Sequence, residues 1–198
     1  MAAPADRAGA SCAGIVLAAG AGTRYGRPKV LADDGAWLRA TVRALEDGGC
    51  AAVMVVLGAT GPTPQIVALP PGVRHVWAPD WATGLSASLR AGLGAVARTP
   101  AQYAAIMPVD TPDVGADVVT RVRTTALAAS SGLARAVFQG APGHPVVLAR
   151  EHWGAVYQSA TGDSGARTYL LERDDMVCVT CDDLATGVDR DFPATTAR

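Results

Sequence analysis

Two cations and three carboxylates stand at positions where they could handle a polyphosphate. Arg24 and Lys29 lie in "LAAGAGTRYGRPK", a stretch of small residues that continues the apolar run "GIVLA". Asp110 follows another apolar run in "AIMPVDTPDV", and Asp189 and Asp191 lie in "GVDRDFP". Arginine forks onto phosphate oxygens, lysine supplies a movable point charge, and carboxylates hold Mg²⁺ together with substrate phosphates. These residues therefore indicate phosphate chemistry that uses a divalent cation.

The glycine loop does not match the two common nucleotide fingerprints. A dinucleotide-binding loop reads G-x-G-x-x-G, whereas Gly20, Gly22 and Gly26 are spaced one residue too widely. The stretch "VVLGATGPTPQ", where an acid would contact a ribose, contains none. A Walker loop needs Gly-Lys-Ser/Thr, and "RPKV" around Lys29 does not supply it. Small residues at 18–22 let backbone N–H groups approach a ligand closely, so we predict phosphate binding; a turn with solvated cations is the alternative.

Composition restricts the classes of partner. The 198 residues are 49% hydrophobic and 18% charged, which indicates one folded domain, and we expect it to span residues 14–198 after a loose tail at 1–13. The formal net charge of −1 argues against a nucleic-acid or anionic-membrane surface. No apolar run approaches the roughly 18 to 20 residues of a membrane span, and the first residues do not form a signal peptide, so we expect a cytoplasmic location.

Short apolar runs alternate with amphipathic segments along the chain. The sequence predicts a single three-layer α/β/α domain with a mostly parallel sheet, because strands buried on both faces read as continuous apolar runs. "CVTC" has the spacing of a redox or metal motif, but on a strand residues 178 and 181 point to opposite faces, so we predict a structural role. The predicted strands are 14–18, 52–57, 73–77, 103–107, 134–138, 145–149 and 176–180; the predicted helices are 36–47, 86–98, 116–129 and two shorter ones within 151–158 and 164–173; loops are expected at 58–65 and 139–145.

The loop closely resembles the signature of the nucleotidyltransferases that activate sugars, isoprenoid precursors and pterins, roughly L-A-[AG]-G-x-[GS]-x-R-[MF]-G-x-P-K. Tyr25 stands where Met or Phe is usual. Asp110 corresponds to the metal-binding Asp of the family's D-x-P motif, and Asp191 to an Asp that precedes Thr-Pro, although Phe192 replaces that Thr. The resemblance implies a Rossmann-like nucleotidyltransferase (GT-A-like) fold, with Mg²⁺ held by Asp110 and by Asp191 or its neighbour Asp189. A turn Asp and a solvated acid pair are the alternatives.

Three further stretches resemble one branch, the molybdenum cofactor cytidylyltransferase-like proteins. "WATGLSASLRAGL" resembles G-M-x-x-S-L-x-x-G-L, in which Ser88 would contact the base; Ser86 or Ser88 as a helix N-cap is the alternative. "GAPGHPVVL" and "TGDSGARTYLL" resemble the branch's motifs at the pterin pocket. They imply acceptor-binding roles for the residues Gly143, His144, Asp163 and Arg167. The plainer interpretations are a histidine at the core edge, a helix-capping Asp and a solvated arginine.

The implied reaction is transfer of CMP from CTP to the terminal phosphate of molybdopterin, with release of pyrophosphate. The resemblance implies catalytic roles for Lys29, Arg24 and Asp110. It implies nucleotide binding by Leu17, Ala18, Ala19, Gly20, Ala21, Gly22, Thr23, Arg24, Lys29, Gly84 and Ser88. The family's guanylyl-transferring branch usually has glycine where this chain has Ala19, and the additional methyl group leaves less room for a purine, which favours CTP over GTP. The resemblance also implies a protein partner, a molybdoenzyme that receives the product. Guanylyl transfer, another acceptor, a cofactor-binding relative without turnover, and an NAD-dependent oxidoreductase remain as alternatives.

Overall fold

The computed structural model describes residues 9–63 and 67–192 of the chain. Strands and helices alternate through most of it. The strands are β1 (Cys12–Leu17), β2 (Cys50–Leu57), β3 (Arg74–Trp77), β4 (Tyr103–Pro108), β5 (Leu133–Phe138), β6 (Ala141–Ala149) and β7 (Val177–Thr180). The α-helices are α1 (Ala36–Asp47), α2 (Leu85–Val96), α3 (Ala116–Ala128), α4 (Arg150–Ser159) and α5 (Arg167–Leu171).

The seven strands form one mixed sheet in the order β3-β2-β1-β4-β6-β5-β7. The pairs β3–β2, β2–β1, β1–β4 and β5–β7 are parallel, whereas β6 is antiparallel to both of its neighbours. The mostly parallel sheet expected from the sequence is therefore confirmed. Because β1 and β4 are adjacent and parallel, the loops that follow Leu17 and Pro108 leave the same edge of the sheet side by side.

Two apolar cores cover the two faces of the sheet. One core contains Leu38 of α1 and Val119 of α3, and the other contains Leu89 of α2, Trp153 of α4 and Leu170 of α5. The arrangement is the predicted three-layer α/β/α sandwich. It follows from strands whose residues are buried on both faces and from helices with one apolar face.

Helix α1 illustrates how the sequence determines these elements. Leu38, Val42 and Leu45 recur at helical spacing and are fully buried, so one face of α1 packs on the sheet. The helix ends at Gly48, as its Gly-Gly pair predicts. A Cβ added to Gly48 would lie 2.5 Å from the Cβ of Val119, so this glycine also permits the close approach of α1 and α3.

The predicted loop at 139–145 is wrong for most of its length. Residues 141–145 belong to β6, and the connection from β5 is the two-residue turn Gln139–Gly140. Both turn residues have positive φ, 50° and 76°, as in a tight type I′ hairpin turn. Glycine and proline in "QGAPGHP" read as loop signals, but two residues suffice to reverse the chain; Ala141 and Pro142 then pair with β5, and the rest continue strand β6.

The ends of the chain differ from expectation in a smaller way. Strand β1 begins at Cys12, so Cys12 and Ala13, expected in the tail, are buried in the sheet. The short strand signal in "SCAG" is weak because serine, cysteine, alanine and glycine are small. Residues 1–8, residues 64–66 and residues 193–198 lie outside the described residues, so the end of the predicted loop 58–65 is among them. Within the described ranges, no helix has the length and apolar character needed to cross a bilayer.

Candidate active site

The glycine loop begins where β1 ends and is fixed by backbone hydrogen bonds to the neighbouring strand region. The amide of Ala18 donates to the carbonyl of Val56 (3.1 Å), and the carbonyl of Ala19 accepts from Ala59 (2.9 Å). Gly22 has a φ of 63°, and a Cβ there would lie 1.9 Å from the carbonyl oxygen of Arg27. Glycine is therefore required at this turn, which directs the following chain towards Lys29.

The loop borders a cavity of about 440 Å³ at the edge of the sheet where β1 and β4 end. The cavity also receives the first turn of α2 and one residue from the C-terminal segment. Its lining residues are Leu17, Ala18, Ala19, Gly20, Ala21, Gly22, Thr23, Arg24, Lys29, Trp81, Ala82, Gly84, Leu85, Ser88, Pro108, Val109, Asp110, Asp163 and Asp191. The structure thus brings together every residue predicted to bind nucleotide or metal, except that Asp189, the alternative to Asp191, is not part of this lining.

Lys29 joins the two acids at the cavity wall. Its Nζ donates to Asp110 Oδ2 (2.7 Å) and to Asp191 Oδ1 (2.7 Å), while Arg24 Nη1 donates to Asp191 Oδ2 (2.8 Å). The side chains of Lys29 and Asp110 are 15% and 19% exposed, against 72% for Arg24, so solvent screens the Lys29–Asp110 pair less.

The protonation states follow from these contacts. Partial burial lowers the pKa of Lys29, but hydrogen bonds and negative charge from Asp110 and Asp191 outweigh it, so the net pKa is raised. The hydrogen bond from Lys29 lowers the pKa of Asp191, partial desolvation opposes it, and the charges of Lys29 and Arg24 lower it further. Partial desolvation and the charges of Asp110 and Asp191 raise the pKa of Asp189 despite the opposing charge of Lys29.

The carboxylates fit a divalent cation that a bound phosphate helps to hold. Asp110 Oδ1 is buried and has no hydrogen-bond partner in the described part of the chain, and Asp191 faces the same cavity. Mg²⁺ typically takes one or two carboxylates together with substrate phosphates and water. Residues 9–63 and 67–192 contain no cluster of three or more His, Cys, Asp or Glu with metal-site geometry, so this pair would need oxygens from a substrate.

Asp113 is a residue that the sequence reasoning missed. Its Oδ2 accepts hydrogen bonds from Thr186 N (2.8 Å), Thr186 Oγ1 (2.6 Å) and Gly187 N (3.2 Å). The amide of Arg190 donates to the carbonyl of Asp110 (2.9 Å). Desolvation raises the pKa of Asp113, but these hydrogen bonds outweigh it and lower the net value. Asp113 therefore ties the C-terminal segment, at Thr186 and Gly187, to the loop that follows β4. After residues 188–190, Asp191 reaches the cavity.

The first turn of α2 also lines the cavity. The amide of Leu85 donates to Asp163 Oδ1 (3.3 Å), so Asp163 caps α2 rather than the helix that follows it in sequence. A Cβ on Gly84 would lie 2.5 Å from the carbonyl carbon of Gly162, which makes this glycine necessary for the approach of the two loops. Ser88 is buried inside α2, so it is not the N-cap of that helix.

Three residues predicted to bind the acceptor lie outside the cavity lining. Gly143 and His144 are on β6, two strands' width from β1, and Arg167 begins α5. His144 is half-buried, and desolvation lowers its pKa to about 4, with a further decrease from Arg135 and an opposing increase from Asp110. Histidine at this position is therefore neutral near pH 7.

Trp81 also lines the cavity without having been predicted. A Cβ on Gly58 would lie 2.5 Å from the Cβ of Trp81 and 2.7 Å from the carbonyl oxygen of Ala19. Gly58 therefore allows Trp81 to approach the glycine loop closely. The sequence signal that could have found it is the position of Trp81 three residues before Gly84, in the stretch already recognised for Ser88.

Several solved structures share this fold, and some of them are nucleotidyltransferases. Rv0371c from Mycobacterium tuberculosis H37Rv superposes with a TM-score of 0.78 and 24% identity over 92% of this chain and 93% of that one, and it was also solved in complex with manganese. A Methanothermobacter nucleotidyl transferase matches with a TM-score of 0.70 and 20% identity over 92% of each chain. These likenesses establish the Rossmann-like nucleotidyltransferase fold.

Sequence comparison identifies the family. A curated relative, the nicotine blue oxidoreductase of Paenarthrobacter nicotinovorans, is 33% identical over 189 residues, which cover 90% of this chain and 91% of the relative. Residues 14–177 match the MobA-like NTP transferase domain. The match contains the glycine loop, Lys29 and Asp110 and ends before Asp191. The chain therefore belongs to the MobA-like NTP transferase family.

Proposed function

We propose that the protein transfers CMP from CTP to the terminal phosphate of molybdopterin and releases pyrophosphate. The observation that carries the proposal is Lys29 held between Asp110 and Asp191 at the rim of a cavity bordered by the glycine loop. Catalytic nucleotidyl transfer needs cations to offset two anionic reactants and donors that align them. Lys29, Arg24 and Asp110 are all retained, which argues for turnover rather than binding alone.

The transfer step needs alignment more than acid–base chemistry. An oxygen of the acceptor phosphate forms a bond to the α-phosphorus of CTP as the bond to the β-phosphate oxygen breaks. The attacking phosphate is already ionised near pH 7, so no general base is required. Lys29 would stabilise charge on the α-phosphate. Arg24 and the amides of 20–23 would hold the departing pyrophosphate.

Asp110 and Asp191 are the residues that would hold the divalent cation, which we propose to be Mg²⁺. When bound, the cation would supply positive charge against the phosphate oxygens. The manganese complex of Rv0371c supports a divalent cation in this fold. We favour Asp191 over Asp189 as the second ligand because Asp191 faces the cavity and keeps a low pKa, whereas that of Asp189 is raised.

The choice of nucleotide rests on Ala19. Its side chain is buried at the wall of the cavity, where its methyl group leaves less room for a purine than glycine would. One methyl group discriminates by only about 1 to 3 kcal/mol, so CTP is the favoured donor and GTP the closest competitor. The acceptor is proposed to bind on the side of β6 and α5, where Gly143, His144 and Arg167 lie. A molybdoenzyme would then receive the product.

A second candidate is an oxidoreductase, because the curated relative at 33% identity is a nicotine blue oxidoreductase. We consider a nicotinamide nucleotide as its coenzyme. The glycine spacing and the absence of an acid in "VVLGATGPTPQ" weigh against a dinucleotide of the Rossmann type. The cavity of about 440 Å³ is nevertheless within the usual range for a small-molecule site. The two candidates differ in their need for a metal and for Asp110.

Calorimetric titration separates them. CTP, GTP, UTP, ATP, NADH and NADPH would be titrated with and without Mg²⁺ into wild type and Asp110→Ala. Transferase activity predicts CTP binding that depends on Mg²⁺ and on Asp110. Binding of NADH or NADPH that is independent of both would favour the oxidoreductase, and GTP preference would mean guanylyl transfer. Tight CTP binding with no product from purified molybdopterin would indicate another acceptor or a relative that only binds.

A further inference from the structure

Arg24 lies in a tight turn at the end of the glycine loop. We call residues 22–26 the arginine turn. The amide of Gly26 donates to the carbonyl of Gly22 (2.8 Å), which closes the turn. Arg24 and Gly26 are exposed, whereas Tyr25 is half-buried. Tyr25 is therefore the side chain through which this turn packs on the rest of the protein.

The partner of Tyr25 is Trp37, in the first turn of α1. The centroids of the two rings are 5.1 Å apart, and the ring planes are tilted by 57°. Favourable aromatic pairs have centroid separations of about 4.5 to 7 Å. Trp37 in turn packs against the buried core that contains Leu38 and Val119. The arginine turn thus rests on a side chain that the folded interior holds in place.

A left-handed segment before α1 fixes the indole of Trp37. Asp33 and Asp34 have φ values of 46° and 52°, and Gly35 follows with 80°. Left-handed backbone is unfavourable for residues other than glycine, although aspartate adopts it more readily than most. Asp33 Oδ2 accepts a hydrogen bond from Trp37 Nε1 (2.8 Å). Two unfavourable backbone conformations are thus retained in a segment whose carboxylate orients the ring beside Tyr25.

The other contact of the arginine turn is an exposed ion pair. Arg24 Nη1 donates to Asp191 Oδ2 (2.8 Å), and the side chain of Arg24 is 72% exposed. Solvent screens such a pair, and a bound phosphate would compete for the same guanidinium. Within residues 9–63 and 67–192, no other hydrogen bond links this turn to a distant part of the chain. The aromatic pair is therefore the contact that can persist when a ligand binds Arg24.

We propose that Tyr25 and Trp37 are positioning residues, which hold the arginine turn so that Arg24 faces the polyphosphate of a bound nucleotide. Neither ring lines the cavity, so both act through Arg24. The inference rests on the proposed function, in which Arg24 holds the departing pyrophosphate. Without the ring pair the turn takes several conformations, and only the fraction with Arg24 in place binds the phosphates. The apparent Kd then rises as the inverse of that fraction.

Inorganic pyrophosphate with Mg²⁺ is the probe, because it tests Arg24 without CTP or an acceptor. In calorimetric titrations, Tyr25→Ala and Trp37→Leu should bind it about fivefold to tenfold more weakly than wild type, since the turn would be competent only about a tenth to a fifth of the time. Tyr25→Phe keeps the ring and should bind as wild type does. Trp77→Leu replaces an exposed tryptophan on β3 and is the matched control, with unchanged affinity.

A double-mutant cycle with Arg24→Ala separates positioning from a purely structural role. In that background, Trp37→Leu should weaken pyrophosphate binding by less than about twofold, because the side chain that Trp37 positions is already gone. The full loss of affinity in both backgrounds would overturn the proposal. Lower melting temperatures for Tyr25→Ala and Trp37→Leu with wild-type affinity would overturn it too, and the aromatic pair would then be structural.

The outcomes for the aromatic pair and for the transferase are separable. If wild type transfers CMP but Tyr25→Ala keeps the wild-type affinity for pyrophosphate, the positioning role is refuted and the transferase stands. If the cycle shows the expected coupling in a protein that transfers no CMP, the transferase is refuted and the positioning role stands. A wild-type protein that binds no pyrophosphate would overturn both.

Discussion

Lys29 organises the charges of the site before any substrate arrives. Its ammonium holds the carboxylates of Asp110 and Asp191 at 2.7 Å each, although residues 110 and 191 lie far apart in sequence. Without this cation the two acids would repel each other. A phosphate that attracts Lys29 would release carboxylate oxygens towards a metal. The lysine can therefore balance the acids in the free protein and a phosphate in the complex.

The first prediction concerns Asp110. Asp110→Asn should lower metal-dependent turnover by about 10²-fold or more, by analogy with the loss of one electrostatic contact to a transition state. Its melting temperature should stay within about 4 °C of wild type, because Lys29 keeps Asp191 and an amide oxygen can still accept its hydrogen bond. The measurements are the release of pyrophosphate as a function of Mg²⁺ concentration and a thermal unfolding curve.

Asp117→Asn is the matched control for that experiment. Asp117 is an exposed acid in the first turn of α3, so its replacement removes the same charge away from the cavity. It should turn over at the wild-type rate. Full activity in Asp110→Asn would show that Asp110 does not hold the metal.

The second prediction concerns His144 and pH. Its folded pKa of about 4 lies below the ordinary 6.5, because burial and Arg135 disfavour the charged imidazole more than Asp110 favours it. Between these values the unfolded chain binds a proton that the folded protein does not. The free energy of unfolding should therefore fall as the pH is lowered from 6.5 to 4, and this contribution should be fully present above 6.5.

His144→Gln should make the free energy of unfolding less dependent on pH across that window. Urea titrations at several pH values between 4 and 6.5 would measure it, with carboxylate contributions cancelling in the difference from wild type. His75→Gln, at an exposed position on β3, should keep the wild-type slope. Equal slopes for wild type and His144→Gln would contradict the burial of a neutral His144.

At the scale of elements, the strands and helices follow from local patterns. Continuous apolar runs predicted all seven strands, and the face formed by Leu38, Val42 and Leu45 predicted α1 together with its Gly48 end. The error at 139–145 came from reading glycine and proline as loop residues. Whether such residues form a loop or a hairpin depends on a partner strand, here β5, and local sequence does not encode that partner.

The candidate site, too, could be predicted from the sequence only in part. The cavity residues of the glycine loop were predictable because a strand, small residues and two cations are adjacent in sequence. The hydrogen bonds of Asp113 to Thr186 and Gly187 were not predictable, since 73 residues separate the partners. In the sequence, Arg135 likewise looks like an ordinary residue of a strand. Only the folded sheet shows that its Nε is buried without a hydrogen-bond partner among residues 9–63 and 67–192.

The third prediction concerns the segment that carries Asp191. Asp113→Ala removes the acceptor of three hydrogen bonds, so the free energy of unfolding should fall by about 1 to 3 kcal/mol. Because Asp191 would be held less firmly, the Mg²⁺ concentration for half-maximal activity should rise by about tenfold, equivalent to about 1.4 kcal/mol. Steady-state assays over a range of Mg²⁺ concentrations would measure this shift.

Arg121→Met tests whether any loosening of the C-terminal segment has the same effect. Arg121 donates to both carboxylate oxygens of Asp183, at 2.6 and 2.8 Å, in an exposed ion pair. Exposed ion pairs contribute little to stability because solvent screens them, and the bonds of Asp113 remain. This variant should keep the wild-type Mg²⁺ dependence. The same shift in both variants would mean that Asp113 has no specific role in positioning Asp191.

The fourth prediction concerns the exposure of the four cysteines. Cys178 is exposed, whereas Cys12, Cys50 and Cys181 are buried. The hydrogen bond that Cys50 Sγ donates to Cys12 Sγ, and then burial, raise the pKa of Cys50 far above its usual range, so this thiol stays protonated. A thiol reagent should modify one cysteine rapidly in the native protein and all four in urea. Cys178→Ser should remove the rapid phase; two rapid thiols would instead support a reactive CxxC pair.

At the scale of the whole molecule, the sheet order brings the pieces of the site together. Parallel pairing of β1 with β4 sets the glycine loop beside Asp110, and β6 next to β4 brings His144 to the same edge. Helix α2 covers one face of the sheet, whereas α1 and α3 cover the other. A nucleotide in the cavity would therefore contact loops that both cores support.

The last prediction is a ligand effect on global unfolding. A ligand present at 100 times its Kd stabilises a protein by about 2.7 kcal/mol if it binds only the folded state. For a chain of this size, about 1 kcal/mol shifts the melting temperature by roughly 2 to 4 °C. CTP with Mg²⁺ should therefore raise the melting temperature by about 5 to 11 °C in a single transition, because loops from both sides of the sheet hold the ligand.

Calorimetric scans would measure that shift, with two variants as controls. Asp110→Asn should lose the part of the shift that depends on Mg²⁺, and Asp117→Asn should keep all of it. GTP should give a smaller shift than CTP if the methyl group of Ala19 restricts the base. A shift produced by NADH or NADPH and unaffected by Mg²⁺ would contradict the prediction. The predicted site holds its nucleotide through Lys29, Asp110 and a divalent cation, so ligand binding there should depend on that cation.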